Sequence, residues 1–411
     1  MIETDVIVVG GGLSGLACAR ALQEHNIDFH LFEEKDALGG RVRTDVVDGF
    51  LVDRGFQVLN DAYPAVHRLV ELNGLKLGAF APGAEIFKNE RRERIGDPLR
   101  NFRDLAPTLR ATIATLKDKL LILRLVAYCH DPGRRSSVAD LSTEEFLVGF
   151  GFSPKIIECF FRPFFGGVFL EESLLTSAAK FLSLFAYFSQ GLATLPAGGM
   201  QALPESIAAA LETDRVHLSE GAREFKRGQL ITDQDKYRCK VMVLAGWQGA
   251  GLLLDRKAPL FHESHTLAFS LPKGETGTNY IQLNGSPRGA VQSVAFNSAA
   301  QPSYAPAGRS LAMVVTRTEC NPHQVKKELQ AWYGAEVTEW ELLTQRLVRK
   351  ALPHETTLFT NPPLETIGGC RILECGDHTE TGSIQGALSS GLRAAQTARA
   401  LLTRSSSESD E

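Results

Sequence analysis

Apolar and polar positions fall into blocks along this chain, and the blocks predict its elements. Val6, Ile7, Val8 and Val9 form an apolar run that ends at Gly10, Gly11 and Gly12, and the following "LSGLACARALQE" carries apolar residues at helical spacing. This predicts a buried strand over 6–10, a glycine turn, and a helix over 13–24, with "DFHLFEE" as a second strand. From Pro98 to His130 the pattern becomes a long helical stretch, interrupted at Pro107. Residues 143–190 read as helical and rich in phenylalanine. "LPAGGMQALPESIAAAL" then turns on glycine into a helix with Pro204 near its first turn. A short strand at "RVHL", a hairpin-like pair and the buried strand "VMVLAG" follow, and residues 258–318 look mainly β. A helix starts at Asn321–Pro322, with Asn321 as N-cap. The chain closes with the strand "CRILECGD" and a long helix beginning near Gly382.

The order of blocks predicts an α/β fold in discontinuous pieces. Residues 1–75, 195–255 and 350–405 read as one nucleotide-binding domain. The helix-rich 76–194 and the β-rich 256–349 interrupt it as a second, substrate-binding domain, and 406–411 form a flexible polar tail. A length of 411 residues exceeds one ordinary core. The net charge of −4 gives no general attraction to nucleic acid. Seven scattered cysteines without a CxxC support neither a zinc ribbon or other metal site nor a disulfide framework, and a reducing, cytoplasmic compartment is the simplest reading. No signal-type leader is expected, and no stretch reaches the roughly 20 apolar residues that span a bilayer. "LLILRLVAY" is broken by Arg124 and "FLSLFAYF" is short, which leaves room for a peripheral membrane contact.

Gly10, Gly12 and Gly15 fit G-x-G-x-x-G between a strand and a helix, with Leu13 and Ser14 inside the motif. The first glycine allows the turn, the second lets a pyrophosphate approach, and the third lets helix pack on strand, while the helix N-terminus offers N–H groups to the phosphates. Glu33 ends the second strand at about the 20-residue distance expected of a ribose-binding acid; Glu34 competes weakly for that role, since as the neighbour on a strand it points to the other face. A bare strand–turn–helix with an exposed acid would show the same glycines. Gly39, Gly40 and Arg41 then add a second anion-binding loop, which an elongated diphosphate such as that of FAD uses and an ordinary NAD site does not need. In "ECGDHTETGSIQGALSSGLRAA", Gly376 and Asp377 precede a helix whose N-terminus can face a flavin, Asp377 holding a ribityl hydroxyl or a phosphate-linked oxygen. The small-residue stripe Gly386, Ser390 and Ala394 fits that role and close packing on the sheet equally.

With these blocks in place the chain resembles the flavin-dependent amine oxidase superfamily, which includes monoamine oxidases, protoporphyrinogen oxidases and phytoene desaturases. The resemblance rests on "VVGGGLSGLACARAL", "FEEKDALGGRVRT", "LVDRGFQVL", "LPAGGMQALPESIA", "VMVLAG" and "GDHTETGSIQGALSSG". It implies a Rossmann-like FAD-binding domain, adenosine on Gly10, Gly12, Gly15 and Glu33, and Arg41 near the diphosphate. It further implies Gly55, Phe56 and Gln57 near the isoalloxazine, Val216 at the adenine edge, and Asp377 with Ser383, Ile384 and Gln385 completing the flavin site.

The departures from the family carry information too. Monoamine oxidases place a lysine on a substrate-domain strand; the matching "ESHTLAFSL" has none, and His265 or Thr266 stands near that place. Their aromatic-cage tyrosine is replaced by Ser383. "RKALPHETTLFTNPPLE" has no cysteine for flavin attachment, so FAD is expected to be non-covalent. "GSIQGALSSG" looks closer to plant-type phytoene desaturases.

No catalytic acid or base is assigned, because the flavin accepts the hydride; His265, Arg162 and Arg346 are the polar residues to inspect. Phe160, Phe161, Phe164, Phe165 and Phe169 suit an apolar tunnel or an ordinary core. The leading expectation is an FAD oxidoreductase acting on an apolar or amphipathic small molecule, with oxygen or a quinone as electron acceptor. Amine or porphyrinogen oxidation, a non-catalytic FAD or lipid-binding flavoprotein, and an NAD-dependent dehydrogenase without flavin are the alternatives.

Overall fold

The computed structural model describes residues 1–88, 91–98, 100–272, 278–355 and 364–408. The chain enters through β1 (Ile2–Val9), α1 (Leu13–Glu24) and β2 (Phe29–Glu33). It leaves for the hairpin β3 (Gly83–Lys88) and β4 (Arg91–Gly96) and the helices α2 (Leu116–Cys129), α3 (Thr143–Phe150), α4 (Arg162–Phe169) and α5 (Ala178–Gln190). It returns with β5 (Val216–Leu218), β6 (Ala222–Lys226), β7 (Gln229–Thr232), β8 (Lys236–Ala245) and α6 (Trp247–Leu254). A second excursion comprises β9 (Phe261–Pro272), β10 (Ile281–Asn284), β11 (Val291–Phe296), β12 (Arg309–Thr316), α7 (Pro322–Tyr333) and β13 (Glu341–Pro353). The last elements are β14 (Glu365–Ile367), β15 (Cys370–Cys375) and α8 (Ile384–Glu408).

The first sheet runs β5–β2–β1–β8 in parallel, and the far edge of β8 takes β15 in parallel and β7 antiparallel. Val6, Ile7, Val8 and Val9 lie between Phe29–Phe32 on one side and Val241–Leu244 on the other, so the central strand is apolar on both faces, as a covered parallel sheet requires. Its parallel strands all end at one edge, at Val9, Glu33, Leu218, Ala245 and Cys375, where open α/β sheets bind ligands. Helix α8 crosses α1 closely: a Cβ on Gly391 would lie 2.0 Å from the Ser14 carbonyl oxygen. The stripe Gly386, Ser390 and Ala394 serves packing, since a Cβ on Gly386 would meet the Thr381 carbonyl at 2.0 Å and Ser390 Oγ accepts from Gly376 N at 2.9 Å.

The second sheet has the order β13–β9–β12–β11–β10–β3–β4, antiparallel except for β10 beside β3. Its distal face packs Phe269, Phe296 and Trp340 against α7, while the helices α2 to α5 bury a phenylalanine-rich core of their own.

Two local expectations need correction. Pro107 sits inside a short helix, Leu105–Arg110, where an early proline loses no helical hydrogen bond; the break follows at residues 111–114, and α2 restarts on a capping box between Thr115 and Asp118. The final helix runs to Glu408, into the expected tail, of which residues 409–411 lie outside the described residues. So do 356–363 of the segment read for flavin attachment. Among the described residues no helix is long and apolar enough to cross a membrane.

Candidate cofactor and substrate site

A cavity of about 1360 Å³ runs along the carboxyl edge of the first sheet and continues between the second sheet and the helices α2, α4 and α5. At one end stands the glycine loop. Gly10 has φ +106°, and a Cβ there would meet the Ala245 carbonyl oxygen at 2.5 Å, so both conformation and packing demand glycine. A Cβ on Gly15 would sit 1.9 Å from the Gly10 carbonyl oxygen, and this keeps α1 against its strand. Gly12 caps α1 with no side-chain acceptor, which leaves the first-turn N–H groups, those of Leu13 and Ser14 among them, for a ligand. Glu33 accepts from Gly11 N at 2.8 Å and Lys35 N at 3.0 Å and is nearly buried at the cavity wall. Glu34 also reaches the wall but is mostly exposed.

The second glycine pair lies against the first. Gly39 N donates to Gly11 O at 2.8 Å, and a Cβ on Gly40 would meet Gly12 Cα at 3.2 Å. Arg41 follows and pairs with Asp377 while also donating to Ala351 O at 2.9 Å. The turn Gly55–Phe56–Gln57 is tied to the same loop, since Gln57 Nε2 donates to Arg41 O at 2.9 Å. Beneath it Asp53 accepts from Thr44 Oγ1 at 2.6 Å, Met200 N at 3.0 Å and Tyr304 Oη at 2.9 Å; burial nevertheless pushes its carboxyl up to about 6. At the far side Gly376, Asp377, Ser383 and Ile384 face the cavity, and burial holds His378 below the usual imidazole range. The turn before α8 is fastened from behind: Glu355 accepts from Gly382 N at 3.0 Å and from Lys180 Nζ at 2.7 Å, both side chains fully enclosed.

The structure thus brings together Gly10, Gly12, Leu13, Ser14, Glu33, Glu34, Gly39, Gly40, Arg41, Gly55, Phe56, Gln57, Gly376, Asp377, Ser383 and Ile384 on one cavity. Gly15, Val216 and Gln385 do not line it; Gly15 is packed against the Gly10 carbonyl. Val216 is held in the ladder of β5 beside Leu31, and Ala222 takes the wall position nearby. Gln385 turns away, accepting from Ala65 N at 3.0 Å and donating to Ser389 Oγ at 2.8 Å.

The residue of "ESHTLAFSL" that faces the turn is Ser264, whose Oγ would lie 3.9 Å from a Cβ on Gly55, in place of His265 or Thr266. A register shift against β13 between His262 and Ser264 re-aims that strand. His265 approaches Glu263, Arg162 pairs with Glu144 and Glu158, and Arg346 pairs with Asp45, all off the cavity.

The phenylalanines divide: Phe160, Phe164 and Phe165 line the cavity, whereas Phe161 and Phe169 are buried in the helical core. Asp53 beneath the turn, and Trp247 and His378 on the wall, join the residues read from the sequence: Asp53 is an acid closing an apolar strand, and Trp247 follows a glycine at the carboxyl end of β8.

The residues present fit FAD. The cavity exceeds the usual 300–1,000 Å³ of a single small ligand and has room for a dinucleotide and a substrate. Two buried polar atoms on its wall, Gln57 Oε1 and His378 Nδ1, have no hydrogen-bond partner in the protein, and each is an orphan that a polar ligand would satisfy.

The family profile described as flavin containing amine oxidoreductase matches residues 13–399. Polyamine oxidase 5 of Oryza sativa subsp. japonica is 43% identical over 75 residues, 18% of this chain and 15% of that protein. Protoporphyrinogen oxidase 2, chloroplastic/mitochondrial, of Arabidopsis thaliana is 28% identical over 165 residues, 39% of this chain and 32% of that protein. The matched stretches therefore span less than a third of these relatives' own length in one case and under a sixth in the other. A solved putrescine oxidase superposes with a TM-score of 0.71 over 97% of this chain and 99% of its own, at 18% identity, which shows a shared fold. The chain belongs to the flavin containing amine oxidoreductase family, with FAD as the cofactor of that family.

Proposed function

We propose that this protein is an FAD-dependent oxidoreductase that removes a hydride and a proton from an apolar or amphipathic small molecule, in the manner of a phytoene desaturase. The observation that carries this reading is the chemistry of the cavity beyond the cofactor loops. Phe160, Phe164, Phe165, Phe185 and Phe188 stand there beside Ile281 and Leu283. Among the described residues, the carboxylates on the wall are Glu33, Glu34 and Asp377 at the cofactor loops, and Asp97, which is ion-paired with Arg100 at 2.7 Å. An ammonium group entering the aromatic part would lose its hydration without a dedicated counter-charge, while a hydrocarbon would not.

When bound, FAD supplies the two-electron acceptor that protein side chains lack. Gly12 and the N-terminus of α1 would hold its phosphates, Glu33 its adenosine ribose, and Arg41 with Asp377 the centre of the molecule. Gly55, Phe56, Gln57, Ser383 and Ile384 would shape the wall beside its ring. The phenylalanines exclude water and orient the substrate. FAD would be held non-covalently, with oxygen or a quinone as the electron acceptor.

Anaerobic stopped-flow absorbance tests the reading: a lipophilic polyene is expected to bleach the flavin, and simple primary amines are not. Likeness to a polyamine oxidase favours amine oxidation as the second reading. Rapid bleaching by an amine with no response to apolar compounds would establish it in place of the first.

A further inference from the structure

Six large apolar side chains stand on the surface within one stretch of chain. Phe102, Leu105, Leu109, Leu116, Leu120 and Leu123 are each between 51% and 79% exposed. Single exposed leucines are ordinary; a contiguous set marks an interaction surface. Leu116, Leu120 and Leu123 follow an i, i+4, i+7 spacing on α2, while Leu125 and Cys129 of the same helix are buried. The helix is thus apolar on two faces, and its fold covers one of them. Lys119 Nζ joins the two halves of the patch, donating to Leu109 O at 2.8 Å and Ala111 O at 3.1 Å. All five leucines also line the cavity described above, so patch and cavity mouth are one continuous apolar surface.

Within residues 100–124 the exposed charges have one sign, and Asp97 just before them is ion-paired with Arg100. Arg103, Arg110, Lys117 and Arg124 are exposed. The acids between residues 100 and 124 are Asp104 and Asp118, and both are fully buried: Asp104 accepts from Tyr280 Oη at 2.7 Å, and Asp118 caps α2. Glu93, which meets this segment from β4, is engaged by the Thr112 hydroxyl and the Thr112 and Ile113 N–H groups.

We propose that this face docks onto a lipid bilayer carrying anionic headgroups, with the leucines among the acyl chains and the four cations at headgroup level. A second copy of the chain meeting the same face across a two-fold axis would set these cations against each other, which favours lipid as the occupant. Since no described helix can cross a membrane, the contact is with one leaflet. The cavity mouth then opens toward the acyl region, and an apolar substrate reaches the phenylalanine walls without passing through water. That last consequence rests on the function proposed above, whereas docking does not.

Vesicle flotation of the FAD-loaded protein tests docking without using activity. Partition is expected on phosphatidylcholine vesicles containing phosphatidylglycerol, weaker partition on phosphatidylcholine alone, and loss of the difference at high salt. Leu116→Gln with Leu120→Gln should lower partition more than about tenfold on both vesicles. Lys117→Gln should lower it about fivefold on the anionic vesicles only. Circular dichroism of each variant reports whether the fold is retained. Three results would overturn the proposal: no partition of the wild type on either vesicle, folded leucine variants that float as well as wild type, or a dimer in sedimentation velocity that the leucine variants split while vesicles bind nothing.

Discussion

Arg41 and Asp377 stand 336 residues apart in the chain and form an ion pair on the cavity wall. The pair closes the loop after the second glycine pair onto the loop before α8, so two candidate cofactor contacts orient each other. Their effects on FAD affinity should therefore not add. In a double-mutant cycle with Arg41→Ala and Asp377→Asn, fluorescence titration of flavin-stripped protein is expected to give a coupling of at least about 0.5 kcal/mol. Additive losses would mean that the two side chains act separately.

Glu33→Ala should weaken FAD retention ten- to a hundredfold, the equivalent of about 1.5–3 kcal/mol for a charge-assisted hydrogen bond to a ribose. Glu33 also receives Gly11 N and Lys35 N, so the substitution loosens the glycine loop itself. Unchanged flavin occupancy after gel filtration would remove Glu33 from the site.

Asp53 makes a pH prediction. Its carboxyl is pushed up from 3.8 to about 6 by burial, so the folded state takes up a proton as pH falls through 6, before the unfolded chain does. Stability from this group is lost above pH 6 and regained on acidification, fully so only below about pH 4. Against Asp53→Asn, which keeps shape and does not titrate, the wild type should gain about 1 kcal/mol between pH 7 and pH 5. Thermal melts of both proteins at the two pH values measure it, and a constant Tm difference would contradict it.

Lys180→Met should be severe. It leaves the enclosed Glu355 carboxylate without its cation, and breaking such a pair costs about 3–5 kcal/mol. Adding Glu355→Gln should recover much of the loss in urea unfolding, since the neutral amide still accepts from Gly382 N. A double variant no more stable than Lys180→Met would show that the lysine is needed for packing alone.

The sequence by itself determined what is local. Gly10 and Gly12 sit in the turn after β1, Gly15 opens α1, Glu33 ends the next strand, and chain connectivity alone brings Gly10, Gly12 and Glu33 to one sheet edge. The same holds for the Asn321 cap, which accepts from His323 N at 2.8 Å. Tertiary structure decided the rest. No local pattern tells that Arg41 meets Asp377, because the meeting depends on where β1, β8 and β15 stack. Ser264 rather than His265 faces Gly55 because a register shift changes which side chain of a strand points inward. A π turn over Ile157–Phe161 shifts the helical phase, so Phe160 and Phe164 reach the cavity and Phe161 the core. Periodicity marked those phenylalanines as apolar; only the packing of α4 against its neighbours assigned each one a side.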